Sequence, residues 1–519
     1  MDMANTSINL DDKFNIKKSN VLLNGTQGLV RLMLGQKLRD EKQGLNTAGF
    51  VTGYRGSPLG AVDFQMRRAS KELLASNIKF KEALNEDLAT TALWGAQQAE
   101  LRGEGLYDGV FGLWYGKGPG VDRSGDAMRH ANMAGSSVNG GVLMAMGDDH
   151  SGESSTVLHQ SDLAMIDAGM PILSPAGVQE ILDYGYYGFA LSRYSGLWVG
   201  LKTMKDTIEV TSVVDGDPFR MRFKNPKPKS GADNLNIRLV DTPADQEKRL
   251  LSDKKIAAEE FARINRIDKV GLPKGNAKIG LVAAGKNWLD LIHSLSLLGI
   301  NEPEAKALGI TSYKIVQTWP IDRQSLLEWA DQLDLIIVIE EKRKIIETQI
   351  KDALFSVASK TRVYGGHKND ENLFFDHGVL DPLEIASALG QIFKEEGCSN
   401  NSLELGLKKI IEVQSADNAP DLAERLPYFC AGCPHNSSTI VPEGSRAYAG
   451  IGCHYMAQWM DRETLGFTHM GGEGANWIGE SLFSKRGHVF QNIGDGTYNH
   501  SGIQAIRAAV AANTDITYK

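Results

Sequence analysis

Short apolar runs bordered by glycine alternate with longer amphipathic segments in the first part of the chain. The runs predict buried strands at Phe50–Thr52, Gly109–Trp114, Val142–Met146 and Leu197–Leu201. The segments between them, such as Asp63–Ala75 and Leu88–Leu101, carry apolar residues at helical spacing. Alternation of strand and helix is typical of a parallel sheet with helices on both faces. The pattern therefore predicts a doubly wound α/β domain over residues 20–223, with ligands at the carboxyl ends of its strands.

Two further regions follow, separated by polar segments. Residues 224–276 are predicted to be a linker that carries a charged amphipathic helix, and residues 277–396 a second α/β domain with a buried strand at Leu335–Ile339. The charged segment Glu340–Lys344 is interpreted as the solvated start of a helix. Residues 397–426 are predicted to be a polar connector that leads to a last domain over residues 427–519.

Composition and charge exclude some classes of function. The net charge of −8 argues against a nucleic-acid partner, because phosphate backbones require a basic face. The chain has no apolar run of about 18 residues that would predict a membrane span. Its first residues are acidic where a signal peptide is basic. A cytoplasmic protein is therefore predicted.

Three of the four cysteines lie close together in the last domain. Cys430 and Cys433 form a Cys-x-x-Cys pair, and Cys453 follows in a second motif. This spacing is typical of ligands to a soft metal, either zinc or an iron–sulfur cluster. His435 and His454 would complete a zinc site, so spacing alone leaves both metals open.

A glycine turn near the end of the chain is a candidate for anion binding. Gly494, Asp495, Gly496 and Thr497 follow a predicted strand and precede a predicted helix. A helix that begins after such a turn presents backbone N–H groups to an anion, and Asp495 is a suitable ligand for Mg²⁺. Taken alone, the same residues are more typical of an ordinary turn with a solvated aspartate.

Four polar segments of the first domain are candidate functional segments, and three of them follow predicted strands. Arg55 and Ser57 follow the first strand, where they are either contacts to a bound carboxylate or part of a helix cap. Glu86 stands at the start of a helix behind Asn85, a good N-cap. The run Gly116–Asp126 is interpreted as a loop that lines a cofactor cleft. The run Gly147–Ser151 is either a metal site or a hydrogen-bonded active-site loop.

The motifs of the last domain, taken together, resemble a known family. In order they are Phe-Cys-Ala-Gly-Cys-Pro-His, Gly-Ile-Gly-Cys-His, His-Met-Gly-Gly-Glu-Gly and Asn-Ile-Gly-Asp-Gly-Thr. The chain from about residue 20 resembles the indolepyruvate:ferredoxin oxidoreductases, which belong to the 2-oxoacid:ferredoxin oxidoreductases. The resemblance implies two thiamine-diphosphate-binding domains with a transketolase carboxyl-terminal-like domain between them.

The resemblance also implies an activity and a set of residues. The expected reaction is oxidative decarboxylation of an aryl- or branched-chain 2-oxoacid, with coenzyme A as acyl acceptor and ferredoxin as electron acceptor. Glu86 would contact the aminopyrimidine ring of thiamine diphosphate, and the loop of Arg55 and Ser57 would face the 2-oxoacid. The diphosphate would lie against residues of the last domain, namely Gly471, Gly472, Gly494, Gly496 and Thr497, with Mg²⁺ on Asp495. Cys430, Cys433 and Cys453 would hold a [4Fe-4S] cluster.

The family pattern departs from this chain at its end. The family's later magnesium ligand and a fourth cluster cysteine would fall beyond Lys519, so the last domain is expected to be truncated and part of a longer polypeptide. A homodimer or higher oligomer is expected. Two alternatives stay open: a non-oxidative thiamine-diphosphate decarboxylase or synthase with structural zinc, and an inactive fragment.

Overall fold

The structure, a computed structural model, describes residues 9–227, 234–416 and 426–519. The chain divides into two units, Met1–Asp417 and Asn418–Lys519. The predicted linker after Asn225 and the predicted connector at 397–426 extend partly outside the described residues. Among the described helices, none has the length and apolar character needed to cross a membrane.

A seven-stranded sheet forms the centre of the first unit. Its strands are β2 (Ala48–Gly53), β3 (Ile78–Glu82), β4 (Val110–Lys117), β5 (Val142–Asp148), β6 (Ile172–Leu173), β7 (Val199–Met204) and β12 (Gln317–Trp319). The order is β12-β6-β7-β5-β4-β2-β3, and every neighbouring pair is parallel except β12 with β6. All seven residues of β5 are buried, as expected of a central strand that is covered on both faces. This arrangement confirms the predicted α/β architecture.

Helices cover this sheet, and α1 and α8 pack closely on each other. The helices up to the second sheet are α1 (Gly25–Lys42), α2 (Val62–Arg68), α3 (Ser70–Ala75), α4 (Glu86–Ala96), α5 (Gly118–Arg123), α6 (Gly125–Ala134), α7 (Asp162–Asp167), α8 (Val178–Ser195), α9 (Lys205–Ile208), α10 (Pro243–Lys248) and α11 (Lys255–Asn265). A β-carbon at Gly185 in α8 would lie 2.3 Å from Leu32 Cδ2 in α1, so glycine permits the approach. The remaining regular segments here are an antiparallel pair, β1 (Asn20–Asn24) with β8 (Thr211–Asp215), a 3₁₀ turn at Leu10–Phe14 and a π-helical turn at Arg249–Lys254.

A second, five-stranded sheet lies in the same unit. Its order is β14-β13-β10-β11-β9, parallel except for β9. Its strands are β9 (Lys269–Val270), β10 (Ile279–Ala284), β11 (Ile310–Ile315), β13 (Leu335–Ile339) and β14 (Arg362–Tyr364), and a short pair is formed by β15 (His367–Lys368) and β16 (Glu371–Asn372). Its helices are α12 (Gly285–Leu297), α13 (Glu302–Ala307), α14 (Arg323–Ala330), α15 (Ile345–Ser356), α16 (Pro382–Glu395) and α17 (Asn401–Ala416). The predicted strand Leu335–Ile339 is confirmed to the residue.

The second unit has a four-stranded parallel sheet in the order β18-β17-β19-β20. Its strands are β17 (Ala447–Ala449), β18 (Thr464–Phe467), β19 (Val489–Gln491) and β20 (Ile516–Tyr518). Its helices are α18 (His435–Ser438), α19 (Ala475–Ser481), α20 (Asp495–Thr497) and α21 (Ile503–Ala511), with a 3₁₀ segment at Gly452–Trp459 and a π-helical turn at Tyr498–Gly502. Trp477 is fully buried and packs with Tyr448 and Val489 in a small core.

Two segments differ from their predicted conformation. Residues Asn401–Ala416 of the predicted connector are helical, because Leu403 and Ile410 are buried in the core of the second sheet. The run Gly116–Asp126 is mostly helical, with a glycine-rich first turn of α5, and is therefore not a loop.

The interpretation of Glu340–Lys344 as a solvated helix start is wrong. Glu340, Glu341 and Lys342 are buried, with exposed fractions of 8%, 4% and 5%. The Glu340 carboxylate accepts backbone N–H bonds from Ile345 and Ile346 at 2.9–3.0 Å, so it caps α15 from within the protein.

Candidate active site

The carboxyl end of β3 leads into a buried carboxylate at the start of α4. Asn85 is the N-cap and accepts the N–H of Leu88 at 3.1 Å. Glu86, the first helical residue, is only 3% exposed, and its backbone carbonyl accepts the indole N–H of Trp114 at 3.1 Å. The next acid, Asp87, is half-exposed and pairs with Arg123 at 3.2 Å. The two acids therefore have different environments, and only Glu86 is held inside the protein.

The Glu86 side chain lies against the glycine-rich first turn of α5. A β-carbon on Gly120 would lie 2.7 Å from Glu86 Oε1, so this close approach requires glycine. Burial lowers the pKa of Lys117, although the carboxylates of Glu86 and Asp149 act in the opposite direction. A buried carboxylate beneath a glycine turn, at the carboxyl edge of a parallel sheet, suits recognition of a nitrogen heterocycle such as an aminopyrimidine.

The loop after β2 carries Arg55 and Ser57. Arg55 is exposed and Ser57 is partly buried, and neither is part of a helix, since α2 begins at Val62. Burial raises the pKa of Asp63, and the positive charge of Arg55 offsets part of that rise. Asp63 accepts a hydrogen bond from the hydroxyl of Tyr115 at 2.5 Å. The Arg55 guanidinium is thus accessible at the same sheet edge from which α4 begins.

Asp148, at the end of β5, connects several groups. Its carboxylate accepts the N–H and the hydroxyl of Ser161, at 2.9 and 2.5 Å, and lies 3.5 Å from His159 Nδ1 and 3.8 Å from Lys202 Nζ. Burial acts to raise the pKa of Asp148, but two imidazoles and Lys202 outweigh it and hold that pKa well below its usual range. Asp149, the next residue, accepts N–H groups from Gly152 and Ser154. Of the two readings of Gly147–Ser151, the structure favours the hydrogen-bonded loop.

His159 connects this loop to α5, a role that the sequence pattern does not indicate. Its Nε2 lies 2.7 Å from Asp122 Oδ2, and its ring occupies the space that a side chain at Gly118 would fill. Burial acts to lower the pKa of His159, but the carboxylates of Asp122 and Asp148 raise it to about 9. The imidazolium therefore holds the glycine turn of α5 against the end of β5.

The raised pKa of His159 gives a testable pH dependence. Because the folded pKa lies above the unfolded value of about 6.5, the stabilisation is complete below about pH 6.5 and is lost as the pH rises through about 9. We expect His159→Gln to lower the free energy of unfolding by up to about 3 kcal/mol at pH 6 and by little at pH 10. Denaturant unfolding of both proteins across this range measures the difference, and a difference that is constant with pH would contradict the assignment.

The cysteine motifs lie in the second unit. Cys433 Sγ is 3.0 Å from His435 Nδ1, and the His435 ring packs edge-on against His454 with centroids 4.3 Å apart. Burial and the neighbouring His435 and Lys519 lower the pKa of His454 to about 4, so its imidazole is neutral at neutral pH. Cys430 and Cys453 are exposed. Over the described ranges, no group of three or more His, Cys, Asp or Glu side chains is placed to hold a metal ion.

The glycine run after β18 contains a buried acid that sequence reasoning missed. Gly471 is partly buried, Gly472 is buried, and the N–H of Gly471 donates to Glu473 Oε2 at 2.6 Å. Glu473 is fully buried, and in the part of the chain that the structure describes its Oε1 has no hydrogen-bond partner. Burial raises the pKa of Glu473. An acid between two glycines is the only signal in the sequence that marks this position.

The last predicted motif forms the turn between β19 and α20. Gly494 is the N-cap of α20, and no atom lies within 4 Å of a β-carbon built on it. Asp495 is exposed, Gly496 is partly buried, and Thr497 is buried. The turn therefore has open space at Gly494 and an accessible carboxylate beside it, which suits an anion with a bound hard cation.

Comparisons with known proteins show what this chain is similar to. Residues 269–417 match the model of the indolepyruvate oxidoreductase domain. The chain is 24% identical over 520 aligned residues to indolepyruvate oxidoreductase subunit IorA of Pyrococcus horikoshii, covering 96% of this chain and 73% of that protein. It is 23% identical to the subunit of the same name from Methanothermobacter marburgensis, covering 89% and 70%.

Among solved structures, the chain is similar to a 2-oxoglutarate:ferredoxin oxidoreductase from Magnetococcus marinus with 2-oxoglutarate, coenzyme A and succinyl-CoA bound. The TM-score is 0.51 at 14% identity, over 72% of this chain and 66% of the other. This likeness concerns the fold alone, and it confirms the predicted fold class. The resemblance to an oxidoreductase family that the motifs indicate is confirmed by the named relatives.

Proposed function

We propose that this chain is the thiamine-diphosphate-binding part of an enzyme that oxidatively decarboxylates a 2-oxoacid and reduces ferredoxin. The observation that supports this most is the buried Glu86 under Gly120 at the carboxyl edge of a parallel sheet. The proposal extends to an aryl- or branched-chain 2-oxoacid of the indolepyruvate type and to coenzyme A as acyl acceptor. The similarity to IorA along nearly the whole chain supports the substrate class.

Glu86 is the residue that we assign to proton handling. Thiamine diphosphate, when bound, supplies a carbon nucleophile and an electron sink for decarboxylation. Glu86 would donate or accept a proton at a ring nitrogen of the aminopyrimidine, and its burial strengthens that hydrogen bond by excluding water. Gly120 lets the Glu86 side chain lie against the first turn of α5, because a β-carbon there would overlap Glu86.

Arg55 and Ser57 are assigned to the substrate. Arg55 is an exposed guanidinium in the loop after β2, and a guanidinium binds a carboxylate through two parallel hydrogen bonds. Ser57, two residues later in the same loop, would donate a hydrogen bond to the substrate. Together they would orient the carboxylate that leaves as CO₂.

Residues of the second unit are assigned to the diphosphate and to electron transfer. Backbone N–H groups near Gly471, Gly472, Gly494, Gly496 and Thr497 would bind phosphate oxygens, and Asp495 would bind Mg²⁺. The three thiolates of Cys430, Cys433 and Cys453 suit an iron–sulfur cluster by the softness of their sulfur ligands. Exposed apolar side chains in this unit, such as Phe483 and Val510, support assembly with another subunit or a second copy.

One observation favours a second candidate function. The contact of Cys433 with His435, and of His435 with His454, places nitrogen donors beside a thiolate, which is typical of structural zinc. A zinc site in this position would leave the enzyme without a one-electron carrier. The chain would then belong to a non-oxidative thiamine-diphosphate decarboxylase or synthase.

The two candidates are separated by one assay on the complex that contains this chain, purified without oxygen. We expect an aryl 2-oxoacid such as indolepyruvate to reduce ferredoxin in a reaction that requires thiamine diphosphate, and coenzyme A to be consumed with each turnover. Release of CO₂ without ferredoxin reduction would favour the non-oxidative enzyme. No reaction of any 2-oxoacid with the cofactor present would overturn the proposal.

A further inference from the structure

A groove of about 620 Å³ lies between three segments of the first unit. These segments are the chain after β8, the carboxyl end of α11 and the first two turns of α14. Four cationic side chains line the groove, namely Arg222, Lys224, Arg263 and Arg266. Glu328 is the only carboxylate among the described residues that line it. With four positive side chains and one negative, the lining carries a net charge of +3, in a chain whose net charge is −8.

The four cations of the groove are not neutralised by ion pairs. None of them forms a salt bridge with a carboxylate of the described residues. Neighbouring arginines do form such pairs: Arg220 pairs with Asp183, and Arg323 lies 3.5 Å from Asp352. Like charges that are held in one groove repel each other, so an anion placed among them would be stabilised.

Hydrogen bonds hold the three segments of the groove together. Asn265 accepts the backbone N–H of Lys224 at 2.8 Å and donates to the carbonyl of the same residue at 3.0 Å. Arg263 donates to the amide oxygen of Gln324, which in turn donates to Glu328 at 3.1 Å. The chain after β8 and the start of α14 are therefore each joined to the carboxyl end of α11. The cations are gathered before any ligand binds, which lowers the cost of binding.

The chemistry of the lining favours a compact polyanion. A guanidinium binds a phosphate group through two parallel N–H···O bonds, and a phosphate group carries a charge of about −1.5 to −2 at neutral pH. Two linked phosphate groups therefore match the net charge of +3. Ile264 is the only apolar residue among the described residues of the lining. The groove thus lacks the aromatic and apolar anchors that hold a protein segment or a nucleic-acid base.

We propose that this groove binds a compound with two or three linked phosphate groups, either inorganic or part of a nucleotide. Its residues are distinct from those assigned to the 2-oxoacid, to thiamine diphosphate and to electron transfer. This binding therefore does not depend on the proposed function.

Titration calorimetry of the complex that contains this chain, at low ionic strength and without added magnesium, measures the binding of pyrophosphate. We expect a Kd below about 1 mM. Arg222→Gln combined with Arg266→Asn should weaken binding at least about tenfold, because charge-assisted hydrogen bonds are lost. Asparagine is chosen for Arg266 because the backbone there has φ of +46°, which asparagine tolerates. Lys71→Gln combined with Arg102→Gln removes two exposed cations elsewhere in the first unit and is the matched control.

Glu328→Gln should change the affinity in the opposite direction. Glutamine keeps an oxygen that can accept the hydrogen bond from Gln324 but removes the negative charge of the lining. Pyrophosphate should then bind about two- to fivefold more tightly, a gain that damage to the fold could not produce. Adenosine diphosphate distinguishes the two sources of the ligand. Tighter binding than that of pyrophosphate would indicate a nucleotide, and equal or weaker binding an inorganic polyphosphate.

Four results would overturn the assignment. The first is that the unchanged complex does not bind pyrophosphate. The second is equal affinity in the double variant of the groove and in the control, which would place the anion elsewhere, for example at the turn beside Asp495. The third is a Glu328→Gln variant that binds pyrophosphate no more tightly than the unchanged complex. The fourth is citrate that binds as tightly as pyrophosphate, because the groove would then not select phosphate.

Discussion

Replacing Glu86 with glutamine is expected to lower 2-oxoacid-dependent ferredoxin reduction by about 10²–10⁴-fold, the usual contribution of a positioned acid or base. The carboxylate is buried at the first position of α4 and lies against Gly120, so glutamine would fit the same space without a cavity. It would, however, lack the carboxyl proton exchange that we assign to Glu86. The turnover of the complex, measured with saturating thiamine diphosphate, checks this expectation.

Binding of the cofactor separates a catalytic loss from a structural one. Glu86→Gln should retain thiamine diphosphate within about tenfold, because the diphosphate contacts are assigned to other residues. Asp87→Asn is the matched control: it lies in the same helical turn, but its partly exposed carboxylate pairs with Arg123 and should matter little. Full turnover in Glu86→Gln would remove Glu86 from its assigned role. Equal losses in both variants would point to damage at the start of α4.

Local pattern is sufficient to predict several of the strands and the helix start that carries Glu86. The strand Leu335–Ile339 is an unbroken β-branched and leucine run, and β5 is apolar until it ends at Asp148, so both are recognisable without any partner. Asn85 marks the start of α4 in a similarly local way, because an N-cap side chain accepts a backbone N–H from two or three residues further along the chain. The burial of Glu86 is a different matter, because it depends on Gly120 of α5.

Long-range contacts explain where sequence reasoning was wrong. The Glu340–Lys344 segment is highly charged, which is typical of a solvated surface. Glu341 is buried in contact with His150. That partner lies 191 residues earlier in the chain, and no local pattern indicates the pairing. His159 likewise acquires its role from Asp122 and Asp148. The periodicity of the sequence does not reveal polar groups that pair between elements, whereas it does reveal apolar residues that share one face of an element.

Part of the predicted connector forms the helix α17. Half of the residues in Asn401–Ala416 are polar, but Leu403 and Ile410 lie seven positions apart on one face of a helix and are both buried. A β-carbon at Gly406 between them would lie 2.7 Å from the backbone of Leu298, so the helix packs closely on the end of α12. The spacing was present in the sequence, but the many polar residues obscured it.

Replacing Cys433 with serine is expected to abolish ferredoxin reduction while leaving the first unit folded. Cys433 is the least exposed of the three motif cysteines, and its sulfur contacts His435 at 3.0 Å. A serine hydroxyl is a poor ligand for the soft metals that thiolates prefer. Removal of an outer-shell hydrogen-bond partner lowers metal affinity by roughly 10–100-fold. Removal of a direct ligand should lower the metal affinity by more than that. Iron, sulfide and zinc content, together with the visible spectrum of the protein kept without oxygen, measures this loss.

The metal that disappears decides between the two candidate functions. If Cys433→Ser loses iron and sulfide along with ferredoxin reduction, the thiolates hold a redox cluster and the oxidative reaction stands. If it loses zinc while CO₂ release continues, the contact of Cys433 with His435 belongs to a structural site, and the non-oxidative enzyme is favoured. Cys398→Ser is the matched control, because Cys398 packs against the core of the second sheet and is not one of the predicted metal ligands. Unchanged electron transfer in Cys433→Ser would exclude this cysteine from any cluster, because a thiolate that carries the metal cannot be replaced by a hydroxyl without loss.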